Sequence, residues 1–267
     1  MESRNVFAEY IRTNELLFKH AKGMRDIVGL EFHPFHELFL FVDGDAEFIS
    51  DSFRAPLTPG TLVIIPKESF HTFVVHGEEA DYHRYVFNFD DFEPFTPLIV
   101  EKMTEPALFS PSKALQERFK QVGDCINEPE YKRNLRMRAL FTDLLLEIEV
   151  QVAETASVKR LHPVLAAAVR YISEHTATIA SVEEIARAVC VSSSYLSHLF
   201  SRELHISPHR YLLEQRLVQA HRRILGGCSA MQAAEECGFG NYSGFYKMYK
   251  KMFGLPPSAA NGEKRLP

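Results

Sequence analysis

The chain of 267 residues contains no tryptophan and only four cysteines. Cys125, Cys190, Cys228 and Cys237 show neither CxxC spacing nor the neighbouring histidine pattern that a zinc site needs, so they read as small, mostly buried hydrophobes. Hydrophobic residues make up 46% of the chain, yet no run approaches the roughly 18 apolar residues that a membrane-spanning helix requires. The amino-terminal stretch MESRNVFAEY lacks a basic segment followed by an apolar run and a small-residue cleavage site. No secretion signal is read there, and a cytoplasmic location with no membrane association is expected.

What is present suffices for two domains at about 100 to 200 residues each. The net charge of −5 conceals an asymmetry: residues 1–157 hold 16 Lys and Arg against 27 Asp and Glu, whereas residues 158–267 hold 14 against 8. A basic carboxy-terminal part is the footprint expected of a nucleic-acid binder, because cations that neutralise phosphates release condensed counterions.

From about Asn14 to Phe89 the chain reads as short apolar stretches separated by turn formers: ELFLFVDGDAEFI, APLTPGTLVIIP and HTFVVHGEEADYHRYVFNF. Asp43-Gly44 predicts a hairpin, and Thr58-Pro59-Gly60 a second turn before residues 61–65. Strands spaced this closely predict a small sandwich or barrel. Over residues 112–153 the period becomes helical, with Leu135, Leu140, Leu144, Ile148 and Val152 assigned to one face. A polar stretch over residues 154–160 reads as a linker, and the chain beyond it is almost entirely helical in pattern.

Ser181-Val182-Glu183-Glu184 has the capping-box pattern and opens a short helix bearing Ile185, Ala186 and Val189 on one side. After a turn at Cys190-Val191, Ser192 caps a second helix with Tyr195, Leu196, Leu199 and Phe200 assigned inward. Ser194, Ser197, His198, Ser201 and Arg202 are left outward. Two short helices joined by a tight turn are what a helix-turn-helix requires. The arrangement recurs about 50 residues later: a helix over residues 229–237, a turn at Gly238-Phe239-Gly240, and a helix over residues 241–253. Here Phe245, Tyr249 and Phe253 are apolar-side residues, and Asn241, Tyr242, Ser243, Tyr246, Lys247, Lys250 and Lys251 are candidates for DNA contact. A continuous helix over residues 207–225 joins the units and, at 1.5 Å per residue, could hold two recognition helices about one duplex turn apart.

The stretches SVEEIARAVCVSSSYLSHLFSRELHISPHRYLLEQRLVQAHRRIL and CGFGNYSGFYKMYKKMFGLPP resemble the DNA-binding domain of the AraC/XylS family of bacterial transcription regulators. The likeness spans about residues 160–260 and is carried by Tyr195-Leu196-Ser197, Leu199-Phe200, Arg216-Leu217, Ala220, Gly238-Phe239, Phe245, Phe253-Gly254 and Pro257. It implies base or flanking-phosphate contacts from Ser194, Ser197 and His198 in the first unit, and from Tyr242, Ser243, Tyr246 and Lys247 in the second. Arg202, Arg222, Arg223, Lys250 and Lys251 are phosphate contacts or solvated charges. Departures from the family pattern are His205 in place of a left-handed glycine, Ala230 and Ala233 in place of larger aliphatics, and Ala260-Asn261 at the close. Weaker DNA contact by the second unit is expected from these.

HPFHELFLFVDGDAEF and LTPGTLVIIPKESFHTF resemble the cupin-like domain that precedes the DNA-binding part in many such regulators. The resemblance implies a barrel whose lumen takes a small molecule, often a sugar, with His36, Phe39, His71, Tyr85 and Phe87 as candidate contacts. An enzymatic cupin would hold a metal with histidines and a carboxylate, and His33, His36, Glu37 and His71 invite that reading. Residues three apart on a strand point to opposite faces, however, so His33 and His36 do not form the inward pair an HxH spacing would supply. The expectation is therefore no metal, no cofactor and no enzyme. A cupin enzyme with an appended DNA-binding part, and a DNA binder without effector, remain as alternatives.

The expected fold is multidomain α+β: a cupin-like β-barrel over residues 1–111, a helical dimerisation segment over residues 112–153, a linker over 154–160, and an all-α domain with two helix-turn-helix units over 161–260. The expected function is ligand-responsive regulation, as an activator, of genes for carbohydrate or related small-molecule metabolism. Its partners would be an operator in double-stranded DNA, an effector, RNA polymerase and a second copy of the chain.

Overall fold

The computed structural model describes residues 7–13, 16–23, 30–76, 81–90, 105–151 and 159–260. Val152, positions 154–158 of the linker and Asn261 lie outside the described residues. The chain forms two compact units, one drawn largely from residues before 160 and the other from residues 160–260. Among the described residues no helix is long and apolar enough to cross a membrane.

The first unit is built on strands β1 (Phe7–Arg12), β2 (Leu16–Lys22), β3 (His36–Asp43), β4 (Ala46–Ser50), β5 (Phe53–Leu57), β6 (Leu62–Ile65), β7 (His71–Val75), β8 (His83–Phe89) and β9 (Ala107–Phe109). One antiparallel sheet has the order β1-β2-β8-β3-β6-β9. In the other, β4 lies between β5 and β7. Gly44, at φ +117, makes the β3–β4 turn, and a Cβ there would come within 3.1 Å of the Tyr82 backbone. Gly60, at φ +91, serves the turn before β6.

The larger sheet has two buried faces, and register decides which side chain lies on which. Leu38 pairs with Phe87, Leu40 with Tyr85 and His36 with Phe89; on the alternate positions Glu37 pairs with Asn88, Phe39 with Val86 and Phe41 with Arg84. Directly opposed residues share a face. The first set packs under the helices α1 (Lys113–Asp124) and α2 (Glu130–Gln151), where Phe87 meets Phe119 and Phe141 at 5.5 and 5.0 Å between ring centroids. The second set faces the opposing sheet, where Phe39 stacks on Phe73 at 3.9 Å.

Ser112 caps α1 by accepting from the Leu115 amide, and α1 buries Leu115, Phe119 and Val122. The buried seam of α2 is Met137, Phe141, Leu144, Leu145 and Ile148. The assignment of Leu135 to this face is corrected, since it is 69% exposed. Nine residues separate it from Leu144, two and a half turns at 3.6 residues per turn, so the two point in opposite directions.

The second unit comprises α3 (Pro163–His175), α4 (Val182–Ala188), α5 (Ser193–Leu204), α6 (Pro208–Leu225), α7 (Ala230–Glu236) and α8 (Tyr242–Phe253). His162, Ser181, Ser192, Ser207, Ser229 and Asn241 cap them in turn, each side chain accepting an amide hydrogen bond. Proline at the first position of α3 and of α6 supplies a preset φ where no amide donor is needed.

Phe87 is thus a packing residue beneath α1 and α2. Phe87→Ala is expected to destabilise the first unit by about 3–5 kcal/mol, read as a lower urea midpoint of its unfolding transition. A variant as stable as the parent would remove Phe87 from that core.

Candidate nucleic-acid interface and effector-binding barrel

The two halves of the second unit are built by the same local chemistry. In the first, Ser181 accepts from the Glu184 amide, while the Glu184 carboxylate reaches back to the Ala180 amide at 2.9 Å and accepts from the Tyr171 hydroxyl at 3.2 Å. Glu184 thereby anchors α4 to α3. Cys190, at φ +57, reverses the chain, and the Val191 amide donates to Ala186 O at 3.0 Å. In the second half Gly238, at φ +81, makes the same reversal, and the Phe239 amide donates to Ala234 O at 3.0 Å. The helices after the turns also end alike, on left-handed His205 and Gly254. His205 thus stands in the backbone conformation that glycine favours. Cys190 is exposed in its turn, which corrects the reading of it as a buried hydrophobe; Cys125 and Cys237 are buried.

The apolar faces of the two recognition helices fill the unit's core. Leu196, Leu199, Phe200 and Leu204 are buried on α5, and Phe245 and Tyr249 on α8. Ala233 is fully buried against α6 and α8, so its small side chain sits inside the second core. Tyr249 is hydrogen-bonded to His221, whose ring stacks on Phe253 at 4.2 Å. Burial raises the Tyr249 hydroxyl above the ordinary tyrosine range and keeps it protonated.

Arg216, on α6, joins the halves. Its Nε donates to Thr176 O at 2.9 Å, one terminal nitrogen to Ile179 O at 2.6 Å, and the other to Gly238 O at 2.9 Å. One guanidinium therefore holds the end of α3, the approach to α4 and the turn of the second unit. Gly238 has no room for a side chain: a Cβ would lie 2.6 Å from Ala177 O and 2.9 Å from the Arg216 guanidinium carbon.

Ser194, Ser197, His198, Ser201 and Arg202 of α5 are exposed, as are Tyr242, Ser243, Tyr246, Lys247, Lys250 and Lys251 of α8. Tyr195 differs from its expected place, and Asn241 and Arg202 also have partners within the unit. Tyr195, assigned to the core, is 42% exposed and lines up with His198 and Arg202 at helical spacing, so it joins the polar face. The Asn241 side-chain oxygen accepts from the Gly244 amide at 2.8 Å, making the residue a helix cap first. Arg202 donates to Glu203 at 2.6 Å, and Glu203 in turn accepts from the His162 amide at 2.9 Å.

In the first unit, Phe39 and His71 lie on the face between the sheets. The other three expected effector contacts are corrected: His36, Tyr85 and Phe87 lie on the helix-covered face. His36 stacks near Phe89 and accepts from the Lys67 amide at 3.0 Å, and the Tyr85 ring approaches Phe18 and Phe119. The inner face instead carries Glu37, Asn88 and Arg84 beside Phe39 and Phe41. Burial, with the facing His33 ring, depresses His71 to about 4. Burial alone would raise the Glu37 carboxyl, but His33 at 3.5 Å, with His71 and Lys19, outweighs it and leaves Glu37 below the usual carboxylate range.

Paired α-turn-α units with exposed polar second helices, preceded by a β-barrel with polar groups on its inner wall, define a DNA-binding regulator with a ligand-binding domain. Known proteins bear this out. Residues 16–151 match the model of the AraC-like ligand binding domain, and residues 185–262 match a helix-turn-helix domain model. The chain belongs to the AraC family of ligand-responsive, DNA-binding transcription regulators and is not an enzyme. Among its relatives is the arabinose operon regulatory protein of Salmonella typhimurium, 29% identical over 241 residues covering 83% of this chain and 81% of that protein. The arabinose operon regulatory protein of Escherichia coli is 30% identical over 222 residues, covering 75% and 71%. The crystal structure of an apo single-substitution variant of ToxT from Vibrio cholerae aligns over 92% of this chain and 97% of its own at 11% identity, with a TM-score of 0.43.

The Gly238 contacts give a sharp contrast with Gly240, where an added Cβ meets nothing within 4 Å. Gly238→Ala is expected to lower the stability of the DNA-binding unit by more than about 2 kcal/mol, whereas Gly240→Ala stays within about 0.5 kcal/mol. Equal thermal midpoints for the two variants would mean that the Arg216 junction tolerates displacement.

Proposed function

We propose that this regulator activates genes of carbohydrate or related small-molecule metabolism from the cytoplasm, binding its operator as a homodimer and recruiting RNA polymerase in response to an effector held by the barrel. The observation that carries this reading is the likeness to two arabinose operon regulatory proteins over three quarters or more of the chain, barrel included. In it, residues 1–111 are the effector domain, 112–153 the dimerisation segment and 161–260 the DNA-binding domain.

On α5, Tyr195, Ser194, Ser197 and His198 would read base edges, with Ser201 and Arg202 toward the backbone. On α8, Tyr242, Ser243, Tyr246 and Lys247 would do the same, with Lys250 on phosphate. Serine and histidine offer single hydrogen bonds rather than the bidentate fork of arginine on guanine, so DNA shape and water would share in the readout. The dimer would form along the outer stripe of α2, where Tyr131, Leu135 and Leu146 are exposed at 67, 69 and 44%. Leu135, Ala139, Thr142 and Leu146 recur at spacings of four, three and four, which is one side of a helix.

Purified protein should bind DNA upstream of its own and neighbouring genes selectively, and one member of a panel of sugars and sugar acids should change that affinity. Lys250→Ala should reduce the slope of log affinity against log salt by about 1, while His198→Ala should cost about 1 kcal/mol on the operator and nothing on random DNA. A response to none of these but to an added compound that is neither a sugar nor a sugar acid would overturn the carbohydrate assignment, and equal losses on both DNAs would remove His198 from base readout. Separately, the double variant Leu135→Glu with Leu146→Glu should sediment as a monomer and lose affinity for paired half-sites. A dimer that survives it forms elsewhere.

A further inference from the structure

Three buried side chains on the inner wall of the barrel converge on one point. His33, Glu37 and His71 each offer a ligand atom, and these atoms all lie within 4.8 Å of one another. The three come from separate places: His33 from the segment before β3, Glu37 from the second position of β3, and His71 from the first of β7. A backbone bridge between Glu31 and His71 pins the His33 segment beside β7.

The hydrogen bonds fix the tautomers. His33 Nδ1 lies 2.7 Å from Phe35 O, and His71 Nδ1 lies 3.2 Å from Ser69 O. A carbonyl only accepts, so each Nδ1 carries the proton and donates it, and in a neutral ring each Nε2 presents a bare lone pair. His33 Nε2 is buried with no hydrogen-bond partner, 3.5 Å from the Glu37 carboxylate. With both rings neutral, two lone pairs and an anionic oxygen face one another away from water, an arrangement that repels itself unless a cation, whether a proton or a metal ion, lies between them. A second nitrogen bound to a backbone carbonyl is also what orients histidine as a metal ligand.

We propose that the barrel binds one divalent first-row transition-metal ion through Nε2 of His33, a carboxylate oxygen of Glu37 and Nε2 of His71. Two imidazoles with one carboxylate suit zinc, iron, cobalt or nickel rather than calcium or magnesium. Nitrogen and oxygen ligands at about 2.0–2.2 Å from an ion stand about 3–4 Å apart, so modest side-chain rotation closes the set. Three protein ligands leave coordination positions for water or for an oxygen donor of a bound molecule. The ion ties the His33 segment to β3 and β7. His33 and His36 do face different sides, as their spacing requires, but a metal set does not need that pair: the partner of Glu37 is His33, four residues before it and ahead of the strand. The proposal does not depend on the carbohydrate reading.

The test uses the full chain, stripped with a chelator and titrated with Zn2+ and Co2+ by calorimetry and by visible absorption of the cobalt form. One ion per chain is expected, with a raised thermal midpoint. Because loss of groups that merely support a ligand weakens metal affinity 10- to 100-fold, Glu37→Gln and His71→Gln should each cost more than about 10-fold. His20→Gln is the control: His20 and His83 face each other at 2.8 Å on the other face of the sheet, and this variant should bind as the parent does. Should the ligand variants not fold, X-ray absorption of the parent decides, with two imidazoles per ion expected. Absence of stoichiometric binding, as a proton shared by His33 and Glu37 would give, overturns the proposal. So does binding abolished by His20→Gln, binding indifferent to Glu37→Gln and His71→Gln, or fewer than two imidazoles at the ion.

Discussion

The three carbonyls gathered by Arg216 set the geometry on which DNA recognition depends. Thr176 O, Ile179 O and Gly238 O belong to segments that no regular secondary structure joins, and each would otherwise be an acceptor at a chain end or turn. Hydrogen bonds to a charged donor contribute about 1.5–3 kcal/mol each, and a planar fork aims at several acceptors at once in a way that an ammonium does not. Because Arg216 sits near the middle of α6, each half-unit is referred to the same rod of 18 residues, about 27 Å long. The glycine at Gly238 is a consequence of that junction: its carbonyl must reach the guanidinium from a left-handed turn with a neighbouring backbone oxygen where a Cβ would go.

In the first unit the equivalent constraint is the two-residue period of the strands. A sheet covered on one side by α1 and α2 and on the other by a second sheet has no polar outer face, so β3 reads HELFLFVD with burial nearly throughout. Hydrophobicity then cannot say which parity faces which layer. Register does: the parity of Leu38 and Phe87 meets the helices, and the parity of Glu37 and Phe39 meets the barrel interior. Polar side chains on that inner parity are few, and they are the chemistry available to a ligand. The same geometry separates His36 from His71, two histidines that residue type alone would group.

The helix-turn-helix units were legible almost residue by residue, since caps and turns are local. Ser181 and Ser192 cap their helices as read, Ser207, Ser229 and Asn241 do so by the same bond within three residues of themselves, and Cys190, Gly238 and His205 have a positive φ at the turns and helix end. Exposure of the polar faces of α5 and α8 is set by helical spacing. Tyr195 was misplaced because an aromatic ring is assigned inward by composition, although its position beside His198 and Arg202 is on the polar stripe. Leu135 was misplaced by taking leucine as a sign of the buried face, when half a turn separates it from the seam that α2 buries.

By itself, then, the sequence determined the β-rich and helical character of the two parts, the repeat of two α-turn-α units and the family to which they belong, because each rests on patterns spanning a few residues. Only the tertiary structure decided that Arg216 ties both units through three carbonyls, that His36, Tyr85 and Phe87 support helices rather than line the barrel, and that His33, Glu37 and His71 meet. Those outcomes depend on strand register and on contacts between segments about 20 to 70 residues apart, where local propensity carries no information about which side chains become neighbours.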